Sequence, residues 1–550
     1  MSKSYHIFYF PFIVKHNEKD DFIIKALNTS NSWNLWKRKI QNKEEPHDEK
    51  MYYHHFVHNA LYDNGNNLFY KNNNKKKNKS QSNHSLVLHY ERTDIISKTT
   101  QFKIKVNNKC MFNLDVEKIT LDYYFMNVGI LTLHVANDKK LLPQDILDIN
   151  YYGRTLYGFE FEGDIDCSIN LGHAAVNNNK SNIFNKFSIN KKKSQLTEEN
   201  HLYTLKRHIK QLLDDLFTES TIDVTSIEYL PVFDNKMFVN CIYLNDELSS
   251  KYKEKEIDDL TNELFWQNFV EIDHSSDFGC QDKEMRKLIT KKNTYLRWHN
   301  YGTLYGITDR SFVCVCSDDN FSQNVLLSHI QTIYFQMIKL VLIQRASLLA
   351  FSDNISRINF NTNNIDTADK IGGIYRNYII YIKKLYFKDV TSQIQGVELY
   401  EKLHDTFNIK SHIEMFDNEL NNTNMYLSAL KDSDKRDNQN NLFNLLAGLF
   451  LPATLVSGIL GMNNILTDNK NEFFSIGHWD VTLYEKRYIL HDLAIVLLVS
   501  LVFWLIMAVS NKTARSIVRS NKIAFIIVTV LTLTFLIICL FLSMNWCIER

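Results

Sequence analysis

Asn463 follows Gly461 and Met462 where a charge-free stretch of this 550-residue chain gives way to polar sequence. An asparagine there offers a neutral amide oxygen. A ring of such oxygens, supplied by several copies and joined by backbone carbonyls, suits a hard cation. Mg²⁺ gives up its water reluctantly, and amide oxygens can hydrogen-bond its hydration shell without stripping it. A carboxylate would hold the ion too tightly for a pathway that needs release as well as entry. Gly461 supplies backbone freedom at the end of a helix. Taken alone, Gly-Met-Asn is also an ordinary helix cap. The residues before it separate the two readings.

Asn440, Asn444, Ala447, Leu451, Thr454 and Gly458 follow one another in steps of four, three, four, three and four. That spacing puts them on one helix face. The face is polar at one end, small or narrow further on, and leads to Asn463. Its other sides are Leu, Phe, Val and Ile, suited to lipid or to neighbouring helices. Polar residues in a membrane helix face a bundle interior or water. One helix encloses no water, but several copies around a symmetry axis do, with this stripe lining the pore. Asp434 and Asp437 stand just before the stripe, where acidic rings would draw cations in. Lys431, Lys435 and Arg436 lie close by, so salt bridges between subunits are an equal alternative.

The element that must carry the stripe is a membrane helix. No charge occurs between Asn438 and Thr467, between Leu493 and Asn511, or between Ile523 and Ile548. Each run is long enough for the roughly 20 apolar residues of a span, and the expected spans are 441–462, 492–511 and 522–545. The link "NKTARSIVRSNK" carries Lys512, Arg515, Arg519 and Lys522 with no acid, which places it in the cytoplasm. The large N-terminal region is then cytoplasmic, in a multi-pass protein of the inner (plasma) membrane with its C-terminus outside. No apolar core with a small-residue cleavage site opens the chain, so no signal peptide is expected.

Composition agrees with a cytosolic soluble part. The net charge of +1 argues against direct nucleic-acid binding, and none of the eight cysteines forms a CxxC pair. Walker, GxSxG, HExxH and GxGxxG motifs are missing from the sequence, so nothing points to an enzyme or to a tightly bound cofactor. His54 and His58, four apart, read more readily as a polar surface cluster than as a metal site, and at His274, Asp277, Cys280 and Asp282 a metal site is the minor reading. Residues 1–320 contain alternating, β-branched and aromatic runs such as "SYHIFYFPFIV" and "VGILTLHVA", with helical patterns between them. They imply an α+β or α/β domain with a mixed sheet, interrupted by two Asn/Lys-rich loops. Residues 321–440 read as a helical stalk: one helix over "NVLLSHIQTIYFQMIKLVLIQRASLLAFSDNI", a second over "IGGIYRNYIIYIKKLYF", and a third from Val397 towards Gly461. Residues 441–550 form the all-α membrane domain.

"FLPATLVSGILGMNN" resembles the end of the first transmembrane helix in the CorA family of divalent-cation channels and transporters. That family ends its pore helix with Gly-Met-Asn, here Gly461, Met462 and Asn463. It places a Pro and a Thr earlier, here Pro452 and Thr454, with a hydrophobic constriction before them, here Leu451. Leu460 stands where the family has Tyr, and a third hydrophobic segment follows the basic link where the family ends. The resemblance implies a homopentamer in the lipid bilayer with Gly461, Met462 and Asn463 as selectivity filter and Asn463 as the site for Mg²⁺ or another divalent cation. "DILDINYYGRTLYG", "YLRWHNYGTLYGITDRSFV" and "LIQRASLLAFSD" look like the branch found beside type III CRISPR systems. That likeness implies an antiviral effector opened by a nucleotide messenger, S-adenosylmethionine joined to AMP (SAM-AMP). Arg154, Arg297 and Trp298 are the expected ligand contacts, because aromatic rings stack on a base and Arg holds phosphate. A membrane-anchored signalling or interaction protein, with helices that only tether the soluble domain, is the alternative. A tether needs neither the stripe nor the Gly-Met-Asn end.

Overall fold

The computed structural model describes residues 3–15, 32–35, 52–62, 87–96, 98–107, 109–124, 126–139, 141–156, 159–160, 163–170, 207–216, 227–232, 236–275, 279–358 and 364–423, with positions 425, 428, 436 and 439. The chain divides into two compact units, Met1–Asn421 and Asn422–Arg550. Every element below belongs to the first.

Thirteen described strands form one sheet. They are β1 (Lys3–Lys15), β2 (Trp33–Leu35), β3 (Val87–Arg92), β4 (Gln101–Val106), β5 (Lys109–Tyr124), β6 (Val128–Asn137), β7 (Phe159–Glu160), β8 (Gly163–Asn170), β9 (Glu228–Pro231), β10 (Phe238–Leu244), β11 (Thr294–Tyr295), β12 (Leu304–Ile307) and β13 (Ser311–Cys316). The main order is β11-β12-β13-β10-β1-β6-β5-β4-β8-β7, with β2 and β3 added at β5 and β9 at β1. The β10–β13 pair is parallel and its neighbours are antiparallel, so the sheet is mixed, as the sequence implies.

β1 shows why the centre of the sheet forms here. Its aromatic and β-branched run is buried nearly throughout, with Ile7, Phe8 and Tyr9 fully enclosed. Both faces of such a strand must be covered. Pro11 does not interrupt it. Residues 3–9 pair with β10 and residues 12–15 with β9, so Pro11 falls in the gap where no N–H is needed on that side.

Helices cover both faces. Phe8, Phe10, Leu131 and Leu133 point to one face, against α2 (Pro143–Gly153), α3 (Arg207–Asp214) and α5 (Leu264–Glu271), with Tyr252 of α4 (Asp246–Glu254) at the margin. Ile7, Tyr9, Ile130 and Ile242 point to the other. There they meet α1 (His55–Tyr62), α7 (Ile333–Ser356), α8 (Asn364–Lys384) and α9 (Ile394–Thr406). A further helix, α6 (Lys283–Asn293), starts at Asp282, whose side chain accepts from the Met285 N–H at 2.7 Å.

Helix α7 lies in the core between sheet and helices. The stretch Ser322–Ser356 is long and apolar enough to cross a membrane, but 61 % of its most apolar window is buried inside this domain. The helices expected as a separate stalk therefore share one hydrophobic core with the sheet, through Leu399, Leu403 and Leu420.

Two expected helices are interrupted. The first breaks at Thr332 (φ −121°, ψ −78°), which ends a short turn over Leu327–Gln331 and starts α7. The third stops at Phe407 and resumes at residue 409, because Asn408 adopts φ 50°. Asparagine tolerates that left-handed conformation better than most residues. The stretch "LYGITDRSFVCVC" is a hairpin of β12 and β13, closed by the Thr308 N–H bonding to the Ser311 carbonyl at 2.9 Å.

Candidate functional site

Under α7 the sheet breaks its apolar pattern. Strands β3, β5 and β6 carry His89, Asp122, Thr132 and His134 at positions that face the helix, and all four are buried. The β3–β5 register sets His89 directly opposite Asp122. The His89 Nδ1 bonds Asp122 Oδ1. Helix α7 brings Lys339 down on this pair, with Nζ 2.9 Å from Asp122 Oδ2. One turn earlier Phe335 lies under the same ammonium, 5.1 Å from Nζ to ring centroid. The other side of the Phe335 ring region is taken by Tyr9, stacked at 5.6 Å, and by His134 at 4.8 Å. His134 Nδ1 in turn meets the Tyr5 hydroxyl at 3.2 Å.

A bulge in β5 extends the polar group. Val116 pairs with Val135 and Lys118 with His134, so Glu117 is one residue too many. Bulges re-aim the side chains that follow them. Here the shift puts Lys118 on the same face as Thr120 and Asp122. These residues border a cavity of about 120 Å³ between the sheet and the start of α7. Gln331, Thr332 and Gln336 close it from the helix side, at the Thr332 break. The Gln336 side-chain oxygen is buried there and meets no hydrogen-bond donor among the described residues.

Electrostatics keep the imidazoles uncharged. Burial, then Lys339, hold His89 well below the usual histidine range. Burial, then Lys118 and Lys339, do the same to His134. The result is a carboxylate between a neutral imidazole and an ammonium, at the wall of a polar cavity. Such an arrangement can hold a polar solute in fixed orientation. Sequence reasoning missed it because the three groups come from distant elements. A signal exists: Lys339 is the lone charge between Ile330 and Gln344, in an otherwise apolar run. A buried charge of that kind is paired or functional.

The expected ligand contacts do not come together within this domain. Arg154, just past α2, is 4 % exposed and its Nη2 lies 3.4 Å from the Ile272 carbonyl, in the α2/α5 layer. Burial leaves little of it for a ligand. Arg297 instead pairs with Glu398 of α9, in the opposite layer, at 2.5 Å, and Tyr295 also donates to that carboxylate. Hydrogen bonding from Tyr295, then Arg297, lowers the Glu398 carboxyl. Trp298 beside it is 37 % exposed, with the Arg297 guanidinium 5.9 Å from its ring.

The pore residues Asn440, Asn444, Ala447, Leu451, Thr454, Gly458, Gly461, Met462 and Asn463, and the mouth residues Asp434 and Asp437, lie outside the described residues. So do the three expected membrane spans and Asp277. Among the described residues no group of three or more His, Cys, Asp or Glu side chains is placed to hold a metal ion. His274 packs on Tyr151, Cys280 donates to the Asp282 carbonyl, and His54 stacks on Phe56.

Compared with family models, curated proteins and solved structures, the chain matches none.

Proposed function

We propose that the chain is a CorA-like channel for divalent cations, with Mg²⁺ as the first candidate ion, assembled as a homopentamer in the inner membrane. One observation carries this reading: the polar, small-residue stripe from Asn440 to Gly458 ends on Gly461-Met462-Asn463 in a charge-free segment. A stripe of that kind has no use in a lone tether, and a ring of them makes a hydrated path. The first unit supports the reading by its architecture, a mixed sheet with helices on both faces, and helical residues 409–423 precede the stripe in the chain.

In this reading the soluble domain gates the pore. A ligand shifts a closed–open equilibrium only by its difference in affinity for the two states, and a site between subunits supplies that difference. The nucleotide messenger implied by the type III CRISPR resemblance would then meet Trp298 and its neighbour Arg297 at the domain surface. Arg154, buried in the opposite layer, would not touch it. The Arg297–Glu398 pair would pass movement of that turn to α9.

Purified full-length protein in liposomes tests this directly. Native mass spectrometry should give five copies. An entrapped Mg²⁺ dye should report flux that Na⁺ and K⁺ do not replace. Monomers without flux would leave the membrane anchor as the better reading. Titration with SAM-AMP, using ATP and Mg²⁺ as comparisons, tests the messenger separately.

A further inference from the structure

We propose that the cavity beneath the start of α7 is a binding site for a small zwitterion, an amino-acid-sized molecule with one carboxylate and one ammonium group. The proposal does not rest on the channel reading.

Charge is the first argument. Lys118 and Lys339 bring two positive charges to the cavity wall, and Glu91 and Asp122 bring two negative ones. Lys339 and Asp122 already face each other at 2.9 Å, so a ligand of net charge would leave either Lys118 or Glu91 unmatched in a half-buried space, which is costly. A ligand with both poles and no net charge matches the wall. The second argument is hydrogen bonding. Gln336 Oε1 is buried with no donor among the described residues. Native structures leave few such atoms unserved, so a donor from beyond the described residues is expected, and a bound ligand supplies one. An ammonium group fits, because it donates to Gln336 and to the acidic side of the wall. A carboxylate then falls to Lys118, which makes no ion pair within 4 Å among the described residues and stands on the side that the β5 bulge re-aims. Size is the third argument. The pocket's volume of about 120 Å³ is close to the roughly 150 Å³ that holds a six-carbon ring, so a ligand of about six heavy atoms fits within it.

The Lys339–Asp122 pair organises this wall but is a poor target for the test. Removing either partner leaves a buried charge, and loss of binding would then mean only loss of folding. Gln336 and Lys118 are half-buried, so their replacement spares the core.

The experiment uses full-length protein in detergent and calorimetric titration with the standard amino acids, one at a time. Acetate, methylammonium and inorganic phosphate serve as single-pole comparisons. At least one small amino acid should bind and raise the unfolding temperature, while the single-pole compounds do not. Gln336→Leu and Lys118→Met should each weaken that binding about tenfold, the loss of one charge-assisted hydrogen bond. Their unliganded unfolding temperatures should stay at the parent value. The proposal is overturned if no amino acid binds, which would leave a water-filled cavity. It is also overturned if phosphate binds and amino acids do not, or if both variants bind as the parent does.

Discussion

The two faces of the sheet bury polar groups in different ways. On the α2/α5 face the buried histidine is His6. It is served on both ring nitrogens by neutral partners, Asn150 Oδ1 at 2.7 Å and Ser4 Oγ at 2.9 Å. Nothing around that ring needs a charge, and the Phe8 ring stacks beside it, 6.4 Å between centroids. On the α7 face a charge is buried: Asp122 is held by Lys339 and His89 beside an open volume. A neutral pair satisfied in place is what a core needs for packing. A buried ion pair is rarely better for stability than apolar residues of the same size. Arg92 is buried on the opposite face, but its acid partners Asp94 and Asp215 are about a quarter exposed. Among the described ion pairs between a carboxylate and an ammonium or guanidinium, Lys339–Asp122 has both members enclosed, which marks the α7 face as the one shaped for something besides folding.

The largest effect should come from breaking the charged side. Asp122→Ala strands the Lys339 ammonium in the core and should cost about 3–5 kcal/mol in urea unfolding. Adding Lys339→Met should recover most of that loss, because the double variant buries no charge. A double variant as unstable as the single one would mean that the pair is a structural requirement and not a tolerated cost.

Acid sharpens the comparison next. Burial lowers His6 to about 4 and His404 to about 4. The unfolded chain keeps the ordinary value near 6.5, so between pH 6.5 and 4 the unfolded state binds more protons. Stability contributed by each neutral histidine is complete above 6.5 and is lost as pH falls towards 4. For the fully enclosed His6 this amounts to about 3 kcal/mol. Unfolding midpoints followed from pH 7 to pH 4 should fall, and His6→Gln should flatten part of the slope. A flat profile in the parent protein would mean that these rings are charged in the fold.

The apolar face should respond to volume instead. A Cβ at Gly153 would stand 2.7 Å from Phe8 Cζ. Gly153→Ala should therefore cost about 1–3 kcal/mol through overpacking, with no change in the acid slope. A neutral result would show more room between α2 and β1 than the packing allows.

How much of this the sequence discloses depends on the kind of signal. Strands such as "VGILTLHVA" are legible because alternation repeats within one element, and the structure places β6 there. The Asn408 break was not, because asparagine is as common on a helix surface as at a left-handed cap. The burial of Ser322–Ser356 was half legible. Its apolarity is plain, but the sheet that covers it is assembled from strands hundreds of residues earlier. The ion pair under α7 was illegible for the same reason: cross-strand register joins His89 to Asp122, and only packing adds Lys339. Arg154 and Arg297 looked alike in their Gly- and Tyr-rich surroundings, yet they belong to opposite layers. The pore stripe is the reverse case, since its whole argument is local and its residues lie in the other unit.

The most direct test of the channel reading is therefore made at that local feature. Asn463→Ala, purified and placed in liposomes beside the parent protein, should remain a pentamer and lose selective Mg²⁺ flux, either by ceasing to conduct or by passing monovalent ions as well. An Asn463→Ala pentamer with the parent's Mg²⁺ flux and selectivity would contradict a pore whose outer end is the Asn463 ring.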